Sequence, residues 1–262
     1  MKLTRIMLLA LVVGLAGAAC GHRAPRQYRP KVNPEFVKLT KDQLFQKAEE
    51  LYTNRKYQRA RAYFQYVYES YPNDPLGRRS LLRIADTYYQ QGDPVNLVEA
   101  QYKYRDFINR YPGSDRADYA LLQIAMVSYK QMEKPDRDQA KTREAVEKFT
   151  DVIRAFPNSP LRPEAERRLQ DVYDRLAMHE HIIARFYIKR GSYDAAARRL
   201  NFLVDTYPNY RERDAVFYDL GQALDLLGRK GEARLYYERV ISEFPKSDFA
   251  GKAKRRLDQL KA

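Results

Sequence analysis

Few residues of this chain have the type and spacing that catalysis or metal binding requires. The 262 residues include one cysteine, Cys20, and three histidines, His22, His179 and His181. A cysteine-based zinc site needs several thiolates, so one cysteine excludes it. His179 and His181 lie two residues apart, which on a helix turns their rings to different sides. We therefore expect no metal site, and we place these two histidines at capping or surface positions.

The sequence motifs of common enzyme classes are also missing. The chain contains no nucleophile elbow, no P-loop, no H-E-x-x-H pair and no glycine-rich dinucleotide fingerprint. Acid pairs such as Glu49 and Glu50 fall on predicted exposed helix faces, where solvation by water explains them. We therefore expect a protein that is not an enzyme and that needs no cofactor.

The amino-acid composition limits the class of protein and the kinds of partner that this chain can bind. Charged residues make up 31% and hydrophobic residues 44%, which is typical of a folded globular protein and excludes a disordered chain or a polytopic membrane protein. The net charge of +14 raises the question of nucleic acid. Lysine and arginine are, however, spread along the chain and interleaved with acids, so we expect no nucleic-acid binding.

The first nineteen residues are typical of an export signal. Lys2 and Arg5 precede residues 6–19, which carry no charge. Fourteen helical residues rise about 21 Å, less than the hydrocarbon core of about 30 Å, which favours a cleaved signal over a membrane span.

Cys20 follows Gly17-Ala18-Ala19, which resembles the lipobox of bacterial lipoproteins. In that family the cysteine becomes the lipidated first residue of the mature protein. Gly17 departs from the pattern, because that position is usually leucine. Gly21, where an aspartate would signal retention, resembles an outer-membrane address facing the periplasm. The resemblance implies a covalent lipid on Cys20 and anchoring to the outer membrane, and an ordinary secretory signal with an incidental cysteine is the alternative.

Residues 20–35 are typical of a tether between this anchor and the folded body. The segment contains Pro25, Pro30 and Pro34 and four basic residues, without an acid before Glu35. Proline at this density opposes a helix and favours extended chain. The positive charge would be drawn to anionic lipid headgroups, or the segment is a passive spacer.

From residue 36 onward the chain repeats a helical pattern. Five aromatic–proline pairs occur at intervals of 37 to 51 residues: Tyr71-Pro72, Tyr111-Pro112, Phe156-Pro157, Tyr207-Pro208 and Phe244-Pro245. Eleven residues before each aromatic stands an alanine, and apolar residues follow this alanine at offsets four, seven and eight. These offsets form one stripe on a helix with 3.6 residues per turn. Each proline then ends its helix.

Between successive pairs there is room for a second helix, so the unit is helix–turn–helix. It resembles the tetratricopeptide repeat, best at Asp219-Leu220-Gly221-Gln222-Ala223 and at Gly228–Ala233. We predict an all-α superhelix of about five repeats with a basic cap helix over Ser247–Leu260. Repeat three holds a charged loop, Glu133–Gln139. Glu164–Arg190 lacks proline and glycine and predicts an added helix that runs into repeat four.

A lipobox, a proline-containing tether and five such repeats together resemble the BamD family of outer-membrane assembly lipoproteins. The most specific stretch runs from Arg168 to Pro208. It includes Asp174-Arg175-Leu176-Ala177 and Phe186-Tyr187, followed by Arg190-Gly191. This resemblance implies a non-enzymatic subunit of the machinery that inserts β-barrel proteins into the outer membrane.

The resemblance also implies partners and site residues. Repeats 4 and 5 with the linking helix and cap, residues 161–262, would dock the POTRA domains of a BamA-type Omp85 barrel protein, through Arg199 and the signature positions Tyr187 and Arg190. A packing role for those two positions stays open. Repeats 1–3, residues 36–160, would present a groove for unfolded outer membrane protein clients, and accessory lipoproteins are further candidate partners.

Tyrosines are the groove candidates, because neighbouring tyrosines such as those at 88 and 89 cannot all point inward and the remainder suit peptide contact. The candidates are Tyr52, Tyr63, Tyr88 and Tyr89. Tyrosines half-buried between repeats are the alternative. For the whole protein, the alternatives are a TolA-binding-type repeat protein or another periplasmic scaffold in cell-envelope maintenance, including one that serves cell-wall enzymes.

Overall fold

The computed structural model describes residues 34–261, and this part of the chain is helical with short connections and contains no strand. The all-α prediction is confirmed. The signal peptide, Cys20 and the tether up to residue 33 lie outside the described residues. Within 34–261, none of the helices combines the length and the apolar character that crossing a membrane would require.

The chain divides into two compact units, residues 1–38 and residues 39–262. Of the first unit the structure describes one short helix, α1 (Pro34–Lys38). The sequence predicts an extended tether up to residue 35, and α1 overlaps the last two residues of that segment. Pro34 occupies its first position, where a missing N–H costs no hydrogen bond and the fixed φ suits a helix.

The second unit is an array of eleven helices within the described residues. They are α2 (Lys41–Thr53), α3 (Tyr57–Ser70), α4 (Pro75–Gln91), α5 (Pro94–Arg110), α6 (Ala117–Lys130), α7 (Ala140–Ala155), α8 (Arg162–Lys189), α9 (Tyr193–Thr206), α10 (Arg213–Leu226), α11 (Lys230–Glu243) and α12 (Asp248–Lys261). Each helix packs against its neighbours in the chain, and α2 also contacts α4, as α10 contacts α12. The five pairs from α2–α3 to α10–α11 are the predicted tetratricopeptide-type repeats, and α12 caps them.

The predicted stripe is the core of the array. The five alanines at its first position are fully buried, as are the residues four and seven places later. The alanines are Ala60, Ala100, Ala145, Ala196 and Ala233. The residues eight places later are half-buried. A methyl group at the alanine position lets the neighbouring helix approach closely, and the larger residues behind it fill the space between helices.

The aromatic–proline pairs form five equivalent turns. Each aromatic residue is the C-cap of its helix, with φ between −136° and −123° and ψ between 55° and 63°. Its backbone N–H donates to the carbonyl four residues back, as in Tyr71 N to Val67 O at 3.0 Å. Its carbonyl accepts from the N–H three residues on, as in Asp74 N to Tyr71 O at 3.1 Å. The proline therefore stops the helix while the turn keeps its backbone groups paired.

Two departures from a regular repeat are confirmed. The predicted loop, residues 133–139, lies within the connection of residues 131–139 between α6 and α7. The predicted added helix is continuous with the first helix of repeat four, so α8 runs for 28 residues. At 1.5 Å per residue this helix is about 42 Å long. Its extra turns pack against α7, and the rest packs against α9 and α10.

Gly77 generates a test of the first turn. A Cβ atom at Gly77 would lie 1.8 Å from the carbonyl oxygen of Tyr71, so α4 cannot approach the end of α3 with any side chain there. Gly77→Ala is expected to lower the free energy of unfolding by about 3 kcal/mol, because backbone must move to relieve the overlap. Urea unfolding followed by circular dichroism measures this.

Gly231→Ala is the matched control, since Gly231 lies in α11 and a Cβ atom added there would meet no other atom within 4 Å. It should be neutral or stabilise by up to about 1 kcal/mol, the helix preference of alanine over glycine. Equal stability of the Gly77→Ala variant and the parent protein would contradict the packing of α3 on α4.

Candidate functional site

The amino-terminal repeats contain a cavity of about 640 Å³, here called the arginine cavity. It lies between α4 and the turn that leads into α6. Four arginines dominate its lining, with two aspartates and a few apolar side chains. The lining residues are Pro75, Arg78, Arg79, Leu82, Arg83, Asp86, Phe107, Gly113, Ser114, Asp115, Arg116 and Tyr119.

A buried polar network forms one wall of this cavity. Arg83 makes a two-pronged ion pair with Glu49 of α2, with Nε and Nη2 each 2.8 Å from a carboxylate oxygen. Its Nη1 lies 3.2 Å from Asp86, which is 3% exposed. The hydroxyls of Tyr104 and Tyr119 donate to Asp86 Oδ1 at 2.6 Å and 2.8 Å. The network therefore joins α2, α4, α5 and α6.

Burial sets the protonation of this network. Loss of water raises the pKa of Asp86, while the hydrogen bonds from Tyr104, Tyr119 and Arg83 oppose that rise. Burial and the nearby Asp86 charge raise the pKa of both tyrosines. Both hydroxyls therefore stay protonated near neutral pH and act as donors to the carboxylate.

Arg78 and Arg116 differ from the other two arginines of the cavity. Arg83 is paired with Glu49, and Arg79 reaches the same carboxylate at 3.4 Å. Arg78 and Arg116 have no carboxylate oxygen within 4 Å among residues 34–261. Each instead lies near an aromatic ring, Arg78 at 6.0 Å from the centroid of Tyr111 and Arg116 at 4.9 Å from that of Tyr119.

None of the four predicted groove tyrosines lines the arginine cavity. Tyr63 is 4% exposed and packs inside the array, so the expectation of a groove position for it is corrected. Tyr52 is half-buried, and its ring lies 4.8 Å beneath the guanidinium of Arg83. Tyr88 and Tyr89 are also half-buried and are covered by cations, Arg61 and Lys130.

The predicted groove tyrosines thus lie at contacts between helices. The sequence analysis did not predict the arginines that line the cavity. The available signal was the run of Arg78, Arg79 and Arg83 near the start of α4, since residues four apart share a helix face. Arg116 carried no such signal, because its proximity depends on how repeats two and three stack.

In the carboxy-terminal repeats, Arg199 and Tyr187 line one cavity of about 500 Å³, here called the docking cavity. Its other lining residues are Glu180, Ala195, Arg198 and Phe202. Arg199 forms an ion pair with Glu180 of α8, and the side chain of Arg199 is 33% exposed. Phe202 is 51% exposed beside it. An arginine and exposed aromatic groups in one concave surface are typical of protein-binding surfaces.

Arg190 lies outside the docking cavity. It is the C-cap of α8, and its guanidinium lies 5.4 Å from the ring centroid of Phe186. Phe186 is 53% exposed and belongs to an apolar ridge on α8 with Met178 and Ile182, which are four residues apart on one helix face. The three predicted residues therefore fall on two neighbouring parts of α8 and α9.

Three polar residues that the sequence predicts at capping or exposed positions are buried or paired. His181 is 4% exposed, and its Nε2 lies 2.8 Å from Asp219 Oδ2, so it joins α8 to α10 in the core and the prediction of a capping or surface position is wrong. His179 Nδ1 lies 2.6 Å from the carbonyl of Pro135. Glu49 is half-buried in the pair with Arg83, while Glu50 is exposed as predicted.

The sequence of this chain is similar to that of one protein family and of several named proteins. The profile of the YfiO family, described as outer membrane lipoprotein, matches residues 38–237. A protein of Neisseria meningitidis serogroup A named outer membrane protein assembly factor BamD is 26% identical, with 93% of this chain and 92% of that protein aligned. A Rickettsia prowazekii protein of the same name is 25% identical, with 97% of each chain aligned.

Solved structures similar to this one are helical repeat proteins. They include the TPR2AB domain of yeast Sti1 in complex with pHSP90, at a TM-score of 0.45 and 14% identity over 84% of this chain and 82% of that one. A TPR protein of Thermus thermophilus, TTC0263, has a TM-score of 0.35 and 18% identity over 84% and 98% of the two chains.

The buried network predicts a pH-dependent effect of Tyr119→Phe. Removing a donor to a carboxylate should lower the free energy of unfolding by about 2 kcal/mol at pH 7. It should also raise the pKa of Asp86 further. Because a protonated Asp86 no longer needs that donor, the loss should shrink as the pH falls towards 4. Urea unfolding at a series of pH values measures both effects.

Tyr102→Phe is the control, since Tyr102 is 61% exposed on α5. It should leave stability unchanged at every pH. A loss for Tyr119→Phe that is the same at pH 4 and pH 7 would show that its hydroxyl does not act on the ionised form of Asp86.

Proposed function

The chain belongs to the YfiO family of outer membrane lipoproteins, and from this premise we propose that it is a non-enzymatic scaffold in outer membrane protein assembly. The observation that carries the proposal is the extent of the match. The family profile covers residues 38–237, and relatives named as assembly factors align over more than nine tenths of both chains. The residues matched by the family profile thus include nearly all of helices α2 to α11 of this chain.

The finer proposal is that the carboxy-terminal repeats dock the POTRA domains of a BamA-type Omp85 barrel protein. Its support is the docking cavity, where Arg199 and Tyr187 share a concave surface with the exposed Phe202. The neighbouring ridge of Met178, Ile182 and Phe186 supplies further exposed apolar area. Exposed aromatic and arginine side chains provide most of the binding energy in many protein interfaces.

The amino-terminal repeats would receive unfolded outer membrane protein clients. The support is the arginine cavity, which has a volume of about 640 Å³ and is lined by both cationic and apolar side chains. Accessory lipoproteins remain further candidate partners.

The lipid on Cys20 would hold the array at the periplasmic face of the outer membrane. Cys20 is the only cysteine of the chain and follows a signal-like segment with a small-residue end. The family description as lipoprotein supports this assignment.

A TolA-binding-type scaffold in cell-envelope maintenance is the competing function. The long α8 is the feature against it, because such proteins lack that insertion and usually begin with a coiled coil. An affinity pull-down of the full-length protein from detergent-solubilised membranes of its host separates the two. Stoichiometric recovery of a POTRA-bearing barrel protein is expected, and recovery of Tol or peptidoglycan-remodelling proteins in its place would overturn the proposal.

Arg199→Leu is expected to weaken docking of the barrel protein at least tenfold while the helical content stays unchanged, because a charged anchor of the docking cavity is lost. The loss also leaves Glu180, whose side chain is 17% exposed, without its partner and lowers stability. The double variant Glu180→Gln with Arg199→Gln removes both charges and separates the two effects.

The affinity is measured with immobilised POTRA-bearing protein and the circular dichroism spectrum reports folding. Arg234→Leu serves as the control, since Arg234 is exposed on α11 and lies outside the docking cavity. Unchanged affinity of a folded double variant would remove Arg199 from the docking surface.

Cys20→Ser is expected to abolish lipid attachment and release the protein from the membrane fraction. Metabolic labelling of the host with an alkyne-bearing palmitate measures incorporation, and fractionation measures release. Label in the Cys20→Ser protein equal to that of the parent would exclude Cys20 as the anchor.

A further inference from the structure

We propose that the outer face of α5 contacts the surface of an anionic phospholipid bilayer and thereby orients the repeat array on the membrane. This face carries Val95, Val98 and Tyr102, here called the α5 ridge. The inference rests on the proposed lipid anchor, because the anchor keeps a bilayer within reach of the array. It goes beyond the proposed function, since neither docking nor client binding requires the array itself to touch lipid.

The α5 ridge consists of exposed apolar side chains on one side of one helix. Each of its three residues is between 60% and 73% exposed. Separations of three and four residues place them on one face, and at 1.5 Å per residue the ridge is about 10 Å long. The opposite side of α5, with Leu97 and Tyr104, is buried in the core, so the ridge takes no part in the packing of the array.

Comparison of the repeats shows that the fold does not require apolar residues at these positions. The ridge residues lie five and two residues before, and two residues after, the buried alanine of their repeat. Among the corresponding positions of the other four repeats, all of which are exposed, one holds a large apolar residue. Those positions are Arg55, Gln58 and Ala62; Ala140, Arg143 and Glu147; Gly191, Asp194 and Arg198; and Gly228, Gly231 and Leu235.

The charges beside the ridge suit an anionic surface. Arg105 continues the same face one turn after Tyr102, and the ammonium group of Lys103 lies 5.3 Å from the ring centroid of Tyr102. Neither cation has a carboxylate oxygen within 4 Å among residues 34–261, whereas the neighbouring Asp106 is paired with an arginine of its own helix. Glu99 opposes this preference with a single negative charge. Cations beside exposed apolar groups are typical of helices that lie on anionic membranes.

The size of the ridge favours a bilayer over a protein partner. A helix face about 10 Å long cannot supply the roughly 800 Å² per partner that a stable protein interface buries. A bilayer needs no matching surface. Two valines can enter the boundary between headgroups and acyl chains, and a tyrosine suits the same depth because its ring is apolar and its hydroxyl is polar.

The length of chain between the proposed anchor and the array allows this contact. Nineteen residues, 20–38, separate the second unit from the start of the mature chain at Cys20. At most they span about 68 Å. A lipid on Cys20 therefore confines the array near the bilayer, and confinement raises the occupancy of a contact that would be weak for a freely diffusing protein.

The test uses the mature lipidated protein with Val98→Cys, reconstituted into vesicles of phosphatidylethanolamine and phosphatidylglycerol. A lipid on Cys20 blocks that thiol, so an NBD maleimide labels position 98 alone. Quenching of the NBD fluorescence by a doxyl-labelled phospholipid measures contact with the bilayer. We expect at least threefold more quenching than for the same label after Arg143→Cys, the matching exposed position of repeat three.

A second variant separates the ridge from the label. Val95→Ser with Tyr102→Ser, made in the Val98→Cys protein, removes the apolar side chains on both sides of the label. Quenching should fall to the level of the Arg143→Cys control, while the circular dichroism spectrum stays unchanged because both positions are exposed. Quenching that persists in this variant would show that the label itself enters the bilayer.

A third variant tests the charges. Lys103→Gln with Arg105→Gln should reduce the quenching in vesicles that contain phosphatidylglycerol and leave it unchanged in vesicles of phosphatidylcholine alone. Lys230→Gln with Arg234→Gln is the control of equal charge, since both residues are exposed on α11. This control should keep the quenching of the parent label in both kinds of vesicle.

Three results would overturn the proposal. They are equal quenching of the labels at positions 98 and 143, quenching that persists in the serine variant, and equal loss of quenching in the two charge variants. Protection of the Val98→Cys label from aqueous iodide in isolated host membranes, but not in vesicles, would also overturn it and assign the ridge to a protein partner.

This inference and the proposed function can fail separately. Labelling of the parent protein by the maleimide would reveal a free thiol on Cys20 and count against the anchor. The same comparison of labels then uses Cys20→Ser proteins with saturating vesicles, so that the ridge is still tested. Failure to recover the barrel protein in the pull-down leaves the measurement unaffected, because the vesicles contain no other protein.

Discussion

The turn after each aromatic residue is the constraint on which the array depends. In all five turns the aromatic carbonyl accepts a hydrogen bond from the residue three places on, and a proline stands between them. The next helix therefore begins only four to six residues after each aromatic residue. No helix pair buries its apolar stripe alone, so these short turns are what bring each stripe against its neighbour.

Two of these turns also carry side-chain contacts back to the repeat that they close. Ser159 donates its hydroxyl to Asp118 at 2.5 Å, and Ser247 donates to Asp214 at 2.5 Å, in both cases from the turn after a helix pair to the first helix of that pair. The hydroxyl oxygens also accept from the N–H two residues on, as in Leu161 N to Ser159 at 3.0 Å. A short polar residue after the proline thus both closes the turn and ties it to the preceding pair.

The local pattern was enough to predict the helices, the turns and the core, because offsets of four, seven and eight residues identify a buried face without knowledge of the neighbours. The long α8 was also predictable from the absence of proline and glycine. The buried polar pairs were not predictable, since His181 meets Asp219 38 residues later and Asp86 meets Tyr119 33 residues later. The arginine cavity was missed for the same reason: its members come from different repeats, and their meeting depends on the stacking.

Two of these polar pairs join helices that belong to different repeats. The pair of Glu49 and Arg83 joins repeats one and two beside the arginine cavity, and the pair of His181 and Asp219 joins α8 to repeat five. A buried pair of polar groups adds little net stability, but loss of one partner leaves the other group without its hydrogen bond and is destabilising. Such pairs therefore favour one arrangement of the helices over others of similar apolar burial. Arg83 of the first pair lines the arginine cavity, and His181 of the second pair follows Glu180, the partner of Arg199, on α8.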